Sequence, residues 1–151
     1  MTSVLFVCLG NICRSPTAEA VFRQKAKAAG LDLTIDSAGT GGWHVGAAPD
    51  PRAIEAGEAA GYSFAGQAAR KAETSDFAQF DYILAMDEEN LHHLRAMAPQ
   101  TYSGHLGLFL DFAEGHNTRE VPDPYYGGED GFKTVVRLIE DASAGLIKQF
   151  A

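Results

Sequence analysis

Basic residues are in short supply: twelve Lys and Arg stand against twenty Asp and Glu in 151 residues, for a formal net charge of -8. A chain so acidic lacks the broad positive surface that nucleic acid or an anionic membrane demands, so any anion it binds must meet a local site. Cysteine is scarcer still. With only Cys8 and Cys13 there is neither a disulfide framework nor a four-ligand zinc set, and the two thiols are either buried filler or chemistry. No run approaches the roughly eighteen apolar residues of a membrane span. The apolar start Val4 to Val7 has no basic leader and is cut short by Gly10, Asn11 and Arg14, which points to the cytoplasm. Low-complexity stretches, internal repeats and a dividing linker are also missing. At 46% hydrophobic residues the chain is expected to be one domain over residues 1–151 with a full core.

What is present alternates. Ser3 to Leu9 is a nearly continuous apolar run, as expected of a central strand covered on both faces. Ser15 and Pro16 then supply an N-cap hydroxyl and a proline at the first helical position, with Ala18, Val21, Phe22 and Ala29 at helical spacing and Gly30 as the stop. Leu31, Leu33 and Ile35 alternate with polar residues as a second strand. A Gly-rich loop from Gly39 to Gly46 follows, with the single tryptophan, Trp43. Asp50-Pro51 opens a helix that Gly61 closes. Tyr82 to Met86 reads as a strand, Glu88 to Met97 as a helix, Leu106 to Leu110 as a strand and Asp111 to Gly128 as a polar loop. Phe132, Val135, Val136, Leu138, Ile139 and Leu146 stripe a C-terminal helix. The order predicts an α/β fold: an open four-stranded parallel sheet, helices on both faces, flavodoxin-like winding. Ligands of such sheets sit beyond the carboxyl ends of the strands.

The segment at that end runs Cys8-Leu9-Gly10-Asn11-Ile12-Cys13-Arg14-Ser15. Gly10 and Asn11 tolerate positive φ, which lets the backbone N–H groups of Leu9, Gly10, Asn11, Ile12, Cys13 and Arg14 turn inward as a phosphate-binding nest above a helix start. Arg14 at the rim can grip two phosphate oxygens with its planar fork. Cys8 at the base, among the same N–H groups, is placed as a thiolate nucleophile aimed at phosphorus, with Ser15 able to hydrogen-bond the sulfur and ease its departure. A nucleotide-binding phosphate loop would need Gly-Lys-Ser/Thr, and a redox dithiol motif would need Cys-x2-Cys. Neither occurs.

Taken together, VLFVCLGNICRSPTAE at Val4 to Glu19, DSAGT at Asp36 to Thr40, AMDEEN at Ala85 to Asn90 and DPYYGG at Asp123 to Gly128 resemble the low-molecular-weight protein tyrosine phosphatases, in order and over nearly the whole chain. The resemblance implies hydrolysis without metal or cofactor through a cysteinyl-phosphate, with phosphotyrosine proteins as substrates and a tyrosine kinase as a possible partner. It makes Asp123 the general acid, held between Pro122 and Pro124. Trp43, Tyr125, Tyr126 and Ile12 become the walls that receive the substrate ring, Tyr125 the more exposed of the tyrosines. Ser37 and Asn11 match positions that hydrogen-bond one another and, with Ser15, support the loop. Where the family usually has a histidine, Gln67 stands in Gly66-Gln67-Ala68-Ala69-Arg70, and its amide is expected to continue the brace. Asp87 resembles a loop-contacting aspartate and fits a helix N-cap equally well. Adjacent His92 and His93 are expected to be solvated. The tight loop and the resemblance together suggest that Cys8 and Cys13 pair on oxidation.

Other readings compete. A related protein arginine phosphatase tends to carry threonine where Ile12 stands. An arsenate reductase-like relay needs later cysteines, and none follows Cys13. An inactive phosphopeptide-binding module would have no use for Cys8, Arg14 and Asp123 together.

Overall fold

A computed structural model describes residues 2–115, 117–124 and 129–150. Four parallel strands form one sheet in the order β2-β1-β3-β4: β1 (Ser3–Cys8), β2 (Thr34–Gly39), β3 (Tyr82–Ala85) and β4 (His105–Leu108). Strand β1 lies at the centre and all six of its residues are buried, as an uninterrupted apolar run requires. Its side chains alternate between two cores. Val4, Phe6 and Cys8 face α1 (Arg14–Ala28) and α5 (Glu129–Phe150), where Phe6 packs against Phe22 and Phe109 with ring centroids 5.5 and 4.8 Å away. Leu5 and Val7 face α3 (Asp76–Gln79) and α4 (Glu88–Met97), among Phe77, Leu91 and Leu94. Each such buried aliphatic or aromatic side chain contributes about 1.5–3 kcal/mol of burial. Helix α2 (Pro51–Ala59) starts at an Asp50 cap that accepts the Arg52 N–H.

Three expectations shift. The second strand runs Thr34–Gly39, not over the Leu31 to Ile35 alternation. In parallel register Ser3 pairs Thr34 and Cys8 pairs Gly39, while Leu31 and Leu33 pack on the core from the connection. This later register delivers Ser37 and Ala38 to the end of β1. Helix α1 begins one residue before Ser15, with Cys13 at its cap position and no side-chain cap bond, because the Ser15 hydroxyl is turned to sulfur. Pro16 therefore lies inside the first turn, where its missing N–H is not needed. The last strand ends at Leu108, and Phe109–Phe112 coil as a 3-10 helix that buries Phe109 and Leu110. Short α3, with four residues and no periodic pattern to reveal it, was not foreseen.

Candidate active site

Beyond the carboxyl end of β1 the chain turns through Leu9 to Cys13 and enters α1. Asn11 takes φ 57°, the single positive φ of a non-glycine residue among the described residues, and its N–H points back at Cys8 Sγ, 3.3 Å away. Gly10 does not take a positive φ, contrary to expectation. Its missing side chain makes room instead, since a Cβ there would stand 3.0 Å from the His44 ring. Gly39 serves the same purpose behind the loop, where a Cβ would press on the Leu9 carbonyl at 2.8 Å.

The loop surrounds one cleft of about 340 Å³. Cys8, Leu9, Gly10, Ile12, Cys13 and Arg14 line its base, with Trp43 and His44 on one side and Asp123 also on the wall. Asn11 stays behind the loop, fully engaged. Its Oδ1 accepts the Arg70 N–H at 3.0 Å, which fixes the amide's orientation, and its Nδ2 donates to Ser15 Oγ at 2.9 Å and Ser37 Oγ at 3.0 Å. Ser37 in turn donates to Glu19 Oε1 at 2.8 Å, and Glu19 is paired with Arg23 at 2.9 Å. The Ser15 hydroxyl accepts from Asn11, donates to the Ala38 carbonyl at 3.3 Å and stands in hydrogen-bond contact with Cys8 Sγ, 3.0 Å away. The sulfur at the base is thus met by the Ser15 hydroxyl and the Asn11 N–H.

Arg14 is almost wholly buried and its NH1 is consumed by the protein, donating to Asp87 Oδ2 at 2.6 Å and to the Val121 carbonyl at 3.0 Å. NH2 stands 3.7 Å from Asp123 Oδ2. Burial opposes the charge, but Cys8, Asp87 and Asp123 outweigh it and hold the guanidinium above its ordinary pKa. Asp87 takes both of its expected roles, since its Oδ1 also accepts the Asn90 N–H and caps α4. Cys13 differs sharply from Cys8. Burial first, then the nearby Asp50, Cys8 and Asp123, push its thiol up to about 12, and it hydrogen-bonds the Asp50 carboxylate.

Trp43 lines the cleft and remains 73% exposed, so its ring is not part of the core. Tyr125 and Tyr126 lie outside the described residues. Gln67 departs from expectation: its Nε2 donates to the Pro16 carbonyl at 3.1 Å and its Oε1 is buried with no partner among the described residues, so it supports the start of α1 and not Asn11 or Ser37. The brace is completed by Glu19 and the Arg70 backbone. His92 and His93 are exposed on α4, with ring centroids 6.2 Å apart. His44 was not singled out from the sequence, although its place beside Trp43 on the Gly-rich loop was the available signal.

Comparison with known proteins agrees with this geometry. The profile described as low molecular weight phosphotyrosine protein phosphatase matches residues 3–151. The low molecular weight phosphotyrosine protein phosphatase of Schizosaccharomyces pombe is 49% identical over 98% of this chain and 96% of its own. A protein tyrosine phosphatase structure from Entamoeba histolytica superposes with a TM-score of 0.96 at 43% identity, covering 99% of this chain and 97% of that one. A Drosophila arginine phosphatase is similar at 32% identity, with a TM-score of 0.92 and coverage of 99% and 98%.

Proposed function

The chain belongs to the low molecular weight phosphotyrosine protein phosphatase family, and from that premise we propose that it hydrolyses phosphotyrosine in proteins, and small aryl phosphates, through a cysteinyl-phosphate on Cys8. The observation that carries the reading is the sulfur at the base of the cleft, held by Ser15 Oγ and the Asn11 N–H and lying in the same cleft as Arg14.

In the first step the Cys8 thiolate attacks phosphorus, an S–P bond forms and the P–O bond to the tyrosine ring breaks. The backbone N–H groups of the Leu9 to Arg14 loop, apart from that of Asn11, which is given to the sulfur, and the outer face of the Arg14 fork hold the phosphoryl oxygens, where charge spreads in the transition state. Asp123 gives its proton to the departing phenolate, which otherwise leaves poorly. In the second step Asp123 takes a proton from water, the water oxygen attacks phosphorus, and the S–P bond breaks with Ser15 and the Asn11 N–H stabilising the returning thiolate. Trp43 and Ile12 flank the substrate ring. A phosphoserine is too short to bring its phosphorus to a sulfur that is 98% buried at the base. Ile12, a branched apolar side chain in the wall, favours an aromatic ring over a guanidinium.

The family makes phosphoproteins its substrates, which a tyrosine kinase must supply. Two free cysteines and the absence of any membrane-length apolar helix among the described residues support the cytoplasm as its compartment. On exposure to hydrogen peroxide, Cys8 becomes a sulfenic acid and Cys13 condenses with it, forming an S–S bond and releasing water.

Turnover of matched phosphotyrosine, phosphoserine and phosphoarginine peptides, in chelator, tests the assignment. A kcat/KM on phosphotyrosine at least about a hundredfold above the others is expected. Preference for phosphoarginine would move the chain to the arginine phosphatases.

A further inference from the structure

The segment that carries Asp123 is tied down just before it reaches the cleft. Val121 is fully buried and uses both backbone groups: its N–H donates to the Met86 carbonyl at 2.8 Å, and its carbonyl accepts from Arg14 NH1 at 3.0 Å. One residue earlier Glu120 reaches sideways, and its Oε2 accepts the N–H of Glu88, the first residue of α4, at 2.8 Å. Asp87 serves the same helix end at the Asn90 N–H. The two carboxylates thus take two of the unpaired N–H groups of that turn, where the helix dipole favours negative charge. Before Glu120, Arg119 binds Asp111 of the 3-10 helix at 2.9 Å and Glu88 at 3.4 Å. Three successive residues are therefore fastened to different parts of the fold. After them come Pro122, Asp123 and Pro124, whose fixed ring torsions leave little freedom between the anchors and the acid.

We propose that Glu120 is a positioning residue for the general acid: its carboxylate, seated on the first turn of α4, fixes where the chain through Val121 and Pro122 delivers Asp123. The inference rests on Asp123 being the acid. Glu120 touches nothing that reacts and is exposed, so its hydrogen bond adds little to overall stability. Its effect belongs in the proton transfer, where a displacement of the acid by a fraction of an ångström is costly.

The test compares kcat/KM for phenyl phosphate, whose leaving group needs a proton, with that for 4-nitrophenyl phosphate, whose leaving group hardly does. Glu120→Ala is expected to lose about tenfold on the first and less than about twofold on the second, with an unchanged Tm. Glu120→Gln, whose amide oxygen still accepts the Glu88 N–H, should recover most of the loss. In an Asp123→Asn background Glu120→Ala should cost nothing further. Equal losses on both substrates, or a persistent loss in the Asp123→Asn background, would overturn the role. If Asp123→Asn itself were indifferent to the leaving group, the acid assignment would fail, and that result is separable because it needs no change at Glu120.

Discussion

Two sulfurs five positions apart are given opposite characters by their neighbours. Cys8 accepts from the Asn11 N–H and touches the Ser15 hydroxyl at the base of the cleft, whereas Cys13 is itself the donor, to Asp50, with its thiol pushed up to about 12 by burial and surrounding negative charge. At pH 7–8 a thiol of that kind is ionised to roughly one part in ten thousand or less. Brief treatment with iodoacetamide should therefore add one carbamidomethyl group, at Cys8, and abolish activity in step; peptide mapping that finds Cys13 labelled at a similar rate would contradict the contrast. The same protonation bears on the oxidised enzyme. Attack on a Cys8 sulfenic acid needs the Cys13 thiolate, so the rate of disulfide formation after a peroxide pulse should rise about tenfold per pH unit between 7 and 9. Intact mass, read as the loss of two hydrogens, follows it, and Cys13→Ser should show no such species and poor recovery on reduction. Arg14 is equally specific in its demands. Arg14→Lys should lower kcat by on the order of 10²- to 10³-fold, since an ammonium cannot serve Asp87, Val121 and two phosphoryl oxygens at once; a variant retaining most of its turnover would make the arginine structural.

The loop from Leu9 to Cys13 behaves as an element because the Asn11 side chain braces it from behind. Ser37→Ala would leave an Asn11 Nδ2–H without its acceptor and Glu19 Oε1 without its donor, for a cost of about 1–3 kcal/mol in stability. Thermal or urea unfolding should show that loss together with a reduced kcat/KM, while loss of stability with unchanged kinetics would separate the brace from the chemistry. Much of this element was legible in the sequence. Cys8, Arg14 and a helix start follow from residue types at short spacing, and local geometry honours them. Asp123, Ser37 and the loop-supporting part of Asn11 came from family resemblance, because they meet Cys8 only across the sheet's end. What could not be read depends on contacts far apart in the chain. Glu19 looked like one more helical carboxylate, Arg70 contributes a backbone N–H that any residue could supply, and Glu120 acts on a helix 32 positions away. Local alternation at Leu31 to Ile35 points to an earlier strand, but the parallel register with β1 outweighs it and sets β2 at Thr34–Gly39. Gln67 stands where the family usually has a histidine, but its amide donates to the Pro16 carbonyl.

At the scale of the whole molecule, three buried or half-buried groups make the stability of the fold depend on pH. Hydrogen bonds from Arg52, working against burial, keep the Asp50 carboxyl below its ordinary range at the start of α2. A depressed folded-state value means that this contribution is present above the unfolded carboxyl's titration near 3.8 and disappears as pH falls through the lower one. The tyrosines act at the other end. Tyr62 donates to Glu140 of α5 at 2.5 Å, and burial followed by that carboxylate drives its phenol upward. Tyr102 donates to the Phe80 carbonyl at 2.9 Å and ties the chain before β4 to the end of α3, with its phenol pushed up to about 12 by burial and by Asp81. Raised folded-state values carry the opposite sign: the stabilisation is complete below the unfolded phenol's value of 10.0 and is lost as pH climbs from there toward 12. Urea midpoints should thus vary little from these groups between about pH 5 and 9 and then fall steeply above pH 10. Tyr62→Phe and Tyr102→Phe will each lower stability at neutral pH by about 0.5–1.5 kcal/mol for the lost hydrogen bond, and the midpoint with it, yet flatten the alkaline decline. Combined in one chain, they should bring its midpoint to meet or exceed the unsubstituted protein's near pH 11. A double variant that declines as steeply as the original would place the alkaline limit elsewhere, in the lysines at the helix surfaces.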